Sequence, residues 1–154
     1  MSRRILVVED QEDNRQIVRD LLTANDYEMT EAENGQEALA AVAKDRPDLI
    51  LMDIQLPVMD GYEATRRIKA DPSLSSIPVI AVTSYALSGD EEKARAAGCN
   101  DFVPKPYSPR QLLAKIRQYL PYLLAPMRGY ALADLGSFLG FLANSFMRRD
   151  VRSR

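Results

Sequence analysis

The chain has 154 residues, about one domain's worth, and its 46% hydrophobic and 27% charged residues are enough for a buried core and exclude a disordered tail. With 22 acidic against 20 basic residues the net charge is −2, so general attraction to nucleic acid is not expected. There is no histidine, which excludes a Ser-His-Asp triad, a histidine-ligated metal and a phosphohistidine on this chain; the single Cys99 excludes an internal disulfide and fits a reducing compartment.

In chain order, Arg3-Arg4 leads into a short apolar strand at residues 5–8. That run is shorter than the ~7–15 apolar residues of a signal peptide. No run reaches the ~18–20 residues of a membrane span, so the expectation is a soluble, cytoplasmic protein. A helix starting near Asp13 places Ile17, Val18, Leu21 and Leu22 on one face. Residues 27–33 alternate and read as an edge strand. Asn34-Gly35 caps and turns into a helix carrying Ala38, Leu39 and Val42. A strand at 48–52 follows Pro47, and a third helix (Tyr62, Ala64, Thr65, Ile68) starts after Gly61, which is expected to supply a positive φ. Pro78 precedes a strand at 79–82. Ser88 and Glu91 have the spacing of a capping box for a fourth helix. Gly98 ends that helix, and Cys99 beyond it reads as a small buried apolar residue. Phe102-Val103 forms a brief fifth strand, and Ser108-Pro109 opens a fifth helix that runs through Tyr119.

Five strands alternating with five helices predict an α/β layer fold, a (βα)5 chain with a parallel doubly wound sheet. Right-handed crossovers favour the flavodoxin-like strand order 2-1-3-4-5. Strands 1 and 3 are then neighbours at the switch point, and ligands bind beyond their carboxyl ends. Strand 1 ends in Glu9-Asp10 and strand 3 in Asp53. At the ~4.8 Å spacing of parallel strands these carboxylates share one crevice and repel each other. A divalent cation relieves that repulsion, and an all-oxygen set favours magnesium or another hard ion. Thr83 ends strand 4 and Lys105 follows strand 5, so a hydroxyl and an ammonium face Asp53. Together these groups suit the oxygens of a phosphoryl group, with the Asp53 carboxylate as the attacking nucleophile.

The segments Val7-Val8-Glu9-Asp10, Leu51-Met52-Asp53-Ile54-Gln55-Leu56-Pro57-Val58-Met59-Asp60-Gly61, Thr83 and Lys105-Pro106 resemble a receiver domain of bacterial two-component response regulators, of the single-domain kind, over about residues 3–120. The resemblance implies that Asp53 is the phosphoacceptor. It also implies that Glu9, Asp10, Asp53 and the backbone carbonyl of Gln55 hold Mg2+, and that Lys105 pairs with a phosphoryl oxygen. Thr83 and Phe102 take the switch positions, and the bond before Pro106 is expected to be cis. A sensor histidine kinase is the implied donor, with a phosphotransfer protein or a downstream signalling protein as further partner. The output is a phosphorylation-dependent change of protein contacts, and the only catalysis expected is the chain's own phosphoryl acceptance and slow self-dephosphorylation. Two departures stand out. Glu9 is longer than the aspartate more common at that place and can reach the metal through water. Tyr85 puts a bulky ring at a position lining the family's phosphoryl site, where it is expected to screen water.

Residues 121–154 change character, with five arginines against two aspartates; their net +3 leaves −5 for residues 1–120. Leu132, Leu135, Phe138, Leu139, Leu142 and Phe146 mark one helical face. This C-terminal helical extension is too short for a DNA-binding output domain, and docking on its own receiver, pairing with a second copy or lying on a membrane are all open to it. The width of its apolar arc favours a homodimer. Two rival functions remain at this point. A haloacid-dehalogenase-type phosphatase would need an aspartate where Gln55 stands, and a dimerisation module with a vestigial site would have no use for the acid, hydroxyl and lysine set.

Overall fold

The computed structural model describes residues 2–84 and 89–121. The expectations for Tyr85, for the cap at Ser88 and for the apolar face of segment 122–154 lie outside the described residues. The elements are β1 (Arg4–Val8), α1 (Glu12–Ala24), β2 (Glu28–Ala32), α2 (Gly35–Lys44), β3 (Leu49–Asp53), α3 (Gly61–Ala70), β4 (Val79–Thr83), α4 (Asp90–Ala97), β5 (Asp101–Pro104) and α5 (Pro109–Tyr119). The sheet is parallel throughout, in the order β2-β1-β3-β4-β5, as the alternation of short apolar runs and helical patterns predicts.

Strand alternation divides the core in two. Ile5 and Val7 of β1, Leu49 and Leu51 of β3, Ile80 and Val103 face Val18 and Leu22 of α1 and Leu112 and Ile116 of α5. Leu6, Val8, Ile50, Met52, Val79 and Ala81 face the other way, onto Ala38 and Val42 of α2, Ala64 and Ile68 of α3, and Ala94 of α4. Every residue of β3 is buried, which is why the central strands read as unbroken apolar runs. Burying each large aliphatic side chain contributes roughly 1.5–3 kcal/mol, so the strands that carry the site are also the best anchored.

The register brings the strand ends to one rim. Val8 pairs with Met52, Asp53 with Val82, and Thr83 with Pro104. Local chemistry fixes where the helices on that rim begin. Asn34 accepts the Glu37 N–H, Asp60 accepts the Glu63 N–H at 2.9 Å, and Ser108 and Gln111 form a reciprocal capping box with Pro109 in the first turn.

Two local expectations need correction. The buried face of α1 consists of Arg15, Val18 and Leu22, while Ile17 is 58% exposed. With 3.6 residues per turn, position 17 is rotated roughly 100° from position 18 and falls outside the face set by 15, 18 and 22. Gly61 has no positive φ; its requirement is room, because a Cβ there would stand 2.2 Å from the carbonyl oxygen of Asp53. The positive φ in this loop falls on Val58, at 68°. Within the described residues α4 begins at Asp90 behind Gly89, whose φ of 111° puts it in the left-handed region that glycine adopts without strain. Gly89 lacks a capping side chain, and Asp90, Glu91 and Glu92 place negative charge at the positive end of the helix instead.

Candidate functional site

Asp53, the last residue of β3, is 4% exposed, and Glu9, one step past β1, is 6% exposed. The Glu9 N–H continues the ladder to β2 by donating to the Ala32 carbonyl at 3.0 Å. Across the sheet, the Lys105 N–H donates to the Thr83 carbonyl at 2.6 Å, which extends the β4–β5 ladder to the rim. The Lys105 ammonium then reaches both acids, with Nζ 3.0 Å from Asp53 Oδ2 and 3.0 Å from Glu9 Oε2. The second Asp53 oxygen, Oδ1, accepts the Gln55 N–H at 3.1 Å. Glu9, Asp10 and Asp53 each offer a carboxylate oxygen within 4.8 Å of the others.

The electrostatics of the pocket follow from this crowding. Burial and the adjacent Glu9 carboxyl push the Asp53 carboxyl up to about 7, against the pull of Lys105. Burial acts on Glu9 in the same sense, but hydrogen bonds from Asp53, Asn14 and Lys105 outweigh it and leave Glu9 below its ordinary value. Lys105 loses hydration to burial, yet the two acids hold it above the ordinary lysine range. Three carboxyl groups against one ammonium leave an excess of oxygen donors, with no imidazole or thiolate among them. That donor chemistry fits a hard divalent cation.

Thr83, Gln55 and Pro106 lie at the same rim, while Phe102 sits two residues further back in β5 and Tyr85 lies outside the described residues. Thr83 is buried at the end of β4. Gln55 follows Asp53 in the loop leading to α3, and the Lys105–Pro106 bond is cis. Half-buried Phe102 packs on the α2–α3–α4 side of the core. An open cleft of about 500 Å³, lined by Asp10, Gln55, Pro57, Asp60 and Thr83 among others, gives access from solvent. Cys99 is buried, as expected.

Two residues of the site escaped the sequence reading. Asn14 Nδ2 donates to Glu9 Oε1 at 2.9 Å, and Arg15 Nη1 donates to the Glu9 backbone carbonyl at 2.7 Å. The available signal was an arginine occupying the i position of the i, i+3, i+7 face that Val18 and Leu22 complete.

Parallel strands in the order 2-1-3-4-5, with acids at the ends of β1 and β3 and a lysine beyond β5, make the arrangement of a receiver-type fold. The response regulator receiver domain model matches residues 5–117, and the chain belongs to that family. Among its relatives, the polar-differentiation response regulator DivK of Brucella anthropi is 47% identical over 120 residues, 78% of this chain and 98% of the relative. Two solved structures are similar. The receiver domain of a sensor histidine kinase from Pseudomonas aeruginosa PAO1, with magnesium coordinated in its active-site cleft, has 37% identity and a TM-score of 0.73 over 78% of this chain and 98% of its own. The receiver domain of the Saccharomyces cerevisiae response regulator Ssk1, crystallised with the histidine phosphotransfer protein Ypd1, gives a match with 30% identity and a TM-score of 0.72 over 77% and 88% of the two chains. The chain is thus a receiver domain similar to DivK-type response regulators, a class that works in phosphorelay signalling. No helix among the described residues is long and apolar enough to cross a membrane.

Proposed function

We propose that this chain is a phosphoryl-accepting switch with Asp53 as the acceptor. The observation that carries the reading is the Asp53 carboxylate, buried at the end of β3, bonded to Lys105 at 3.0 Å, with Glu9 and Asp10 oxygens within 4.8 Å. An Asp53 oxygen attacks the phosphorus of a phosphohistidine on a partner kinase or phosphotransfer protein. A P–O bond forms as the P–N bond breaks, and the electron pair stays on the departing imidazole. Lys105 pairs with a phosphoryl oxygen, and the Thr83 hydroxyl turns toward the new anion. Phe102 follows into the space behind Thr83, which repacks the surface around β5 and changes what the protein binds.

Glu9, Asp10, Asp53 and the Gln55 carbonyl would hold Mg2+. When bound, the cation supplies positive charge against the phosphoryl oxygens and relieves the repulsion among the acids. Water later cleaves the acyl phosphate, with Tyr85 slowing its access. The buried lone Cys99 supports a reducing, cytoplasmic setting. Segment 121–154 pairs with a second copy of the chain.

Acetyl phosphate and MgCl2, followed by intact-mass measurement, test the reading. The wild type should gain one phosphoryl group and Asp53→Asn none. An unmodified wild type, or equal modification of the variant, overturns it.

A further inference from the structure

Arg15 occupies a place on α1 where the face packed on the sheet calls for an apolar residue. It is only 7% exposed, and its guanidinium is shared among four acceptors. Nη1 donates to the Glu9 carbonyl at 2.7 Å. Nε donates to Glu31 at 3.2 Å, and Nη2 donates to Glu33 at 3.2 Å and to Glu12. Stability alone does not account for this arrangement, because an apolar side chain in such a place is often as stabilising as a buried ion-pair cluster. What an apolar side chain cannot do is bond the Glu9 carbonyl. That oxygen belongs to the peptide joining Glu9 to Asp10, so its direction sets the backbone from which both acids project. Asn14, the neighbour of Arg15, holds the Glu9 side chain at 2.9 Å. The Asp10 carboxylate takes a hydrogen bond from exposed Gln11 at 3.2 Å, and its placement depends on the backbone behind it.

We infer that Arg15 is the positioning residue of the acid pair. Braced by glutamates at the end of β2 and in the first turn of α1, it fixes the Glu9–Asp10 peptide plane so that the Asp10 carboxylate is aimed at Asp53. The inference rests on the reading of Glu9, Asp10 and Asp53 as a cation site, and it makes a prediction opposite in sign to simple electrostatics. Removing a positive charge close to a cation site raises cation affinity by Coulomb attraction alone. Loss of a positioning residue lowers it, by about 10–100-fold where residues that orient metal ligands have been removed.

Isothermal titration of the full chain with MgCl2, paired with thermal unfolding in EDTA, separates these effects. Arg15→Met should bind Mg2+ at least about tenfold more weakly than wild type. Arg15→Lys, which keeps a donor for the carbonyl but lacks the fork that spans to the glutamates, should fall between them. Arg19→Met breaks ion pairs to Glu12 and Glu31 in the same network and should stay within about twofold of wild type, since Arg19 does not bond Glu9. Unchanged or tighter Mg2+ binding by Arg15→Met overturns the assignment, as does an equal loss in Arg19→Met. If Arg15→Met is unfolded in EDTA, Arg15→Gln replaces it under the same criteria. If the wild type binds no Mg2+, or Asp10→Asn binds it as well as wild type, the cation-site reading falls and the role of Arg15 falls with it.

Discussion

Asp53 owes its position as much to a glycine eight residues later as to its own strand. The Gly61 N–H donates to the Ile54 carbonyl at 3.0 Å, and its Cα lies so close beneath the end of β3 that a methyl group would meet the Asp53 carbonyl. Gly61→Ala should therefore destabilise the domain by about 1–3 kcal/mol and slow phosphorylation by acetyl phosphate, because the strand end must shift. Val58→Gly, in the same loop, should act in the opposite sense. A β-branched residue at a φ of 68° is strained by about 1–3 kcal/mol, and glycine removes the strain at a backbone-entropy cost of roughly 0.5–1 kcal/mol. Urea unfolding of both variants checks the two signs. Asp53, Thr83 and Lys105 were legible in the sequence because each stands where a continuous apolar run stops. Arg15 was not, because a search for periodic apolar residues passes over an arginine as a solvated one. The inward turn of Glu9 toward Asn14 and Lys105 was equally hidden, since it depends on helix and strand ends meeting in space.

At the scale of elements, β5 and α5 are joined by a polar contact as well as an apolar one. Asp101, the first residue of β5, accepts from Lys115 Nζ at 3.0 Å, from Tyr119 Oη at 3.1 Å and from the Phe102 N–H at 2.8 Å. Burial tends to raise the Asp101 carboxyl, but these donors outweigh it and hold the group below its ordinary value of 3.8. The native state therefore favours the ionised form. The resulting stability is complete above about pH 4, the ordinary carboxylate value, and is lost as the pH falls through the lower folded value. Asp101→Asn should lower stability at pH 7 by about 1–3 kcal/mol and flatten the acid limb of a stability–pH curve measured by urea unfolding. A limb of unchanged steepness would show that Asp101 contributes nothing to it. Element order and type were readable from the apolar runs and from caps such as Asn34 and Ser108. Boundaries were less so where a cap is only a backbone conformation, as at Gly89, or where an exposed isoleucine imitates the packed face, as at Ile17.

For the whole molecule, residues Met1–Pro121 form one compact unit, and the family model stops at residue 117. The segment beyond carries net +3 and the residues before it −5. A chain ending at Pro121 should run as a monomer by size exclusion with light scattering, while the full chain runs as a dimer; a dimer that survives the truncation rules out the tail as its cause. The topology and the rim of chemistry were legible because right-handed crossovers leave few ways to arrange five parallel strands. The use made of residues 121–154 was not, because an apolar face specifies burial without specifying a partner.

The ion pairs around Arg15 also act on the far side of the sheet. Among the described residues β2 has a strand neighbour on one flank only, and its Glu28 and Glu31 are paired with Arg4, Arg15 and Arg19. An open margin studded with charge is a poor template for another extended chain. The arginines and glutamates around α1 and β2 thereby disfavour the edge-to-edge pairing that an uncharged margin would invite.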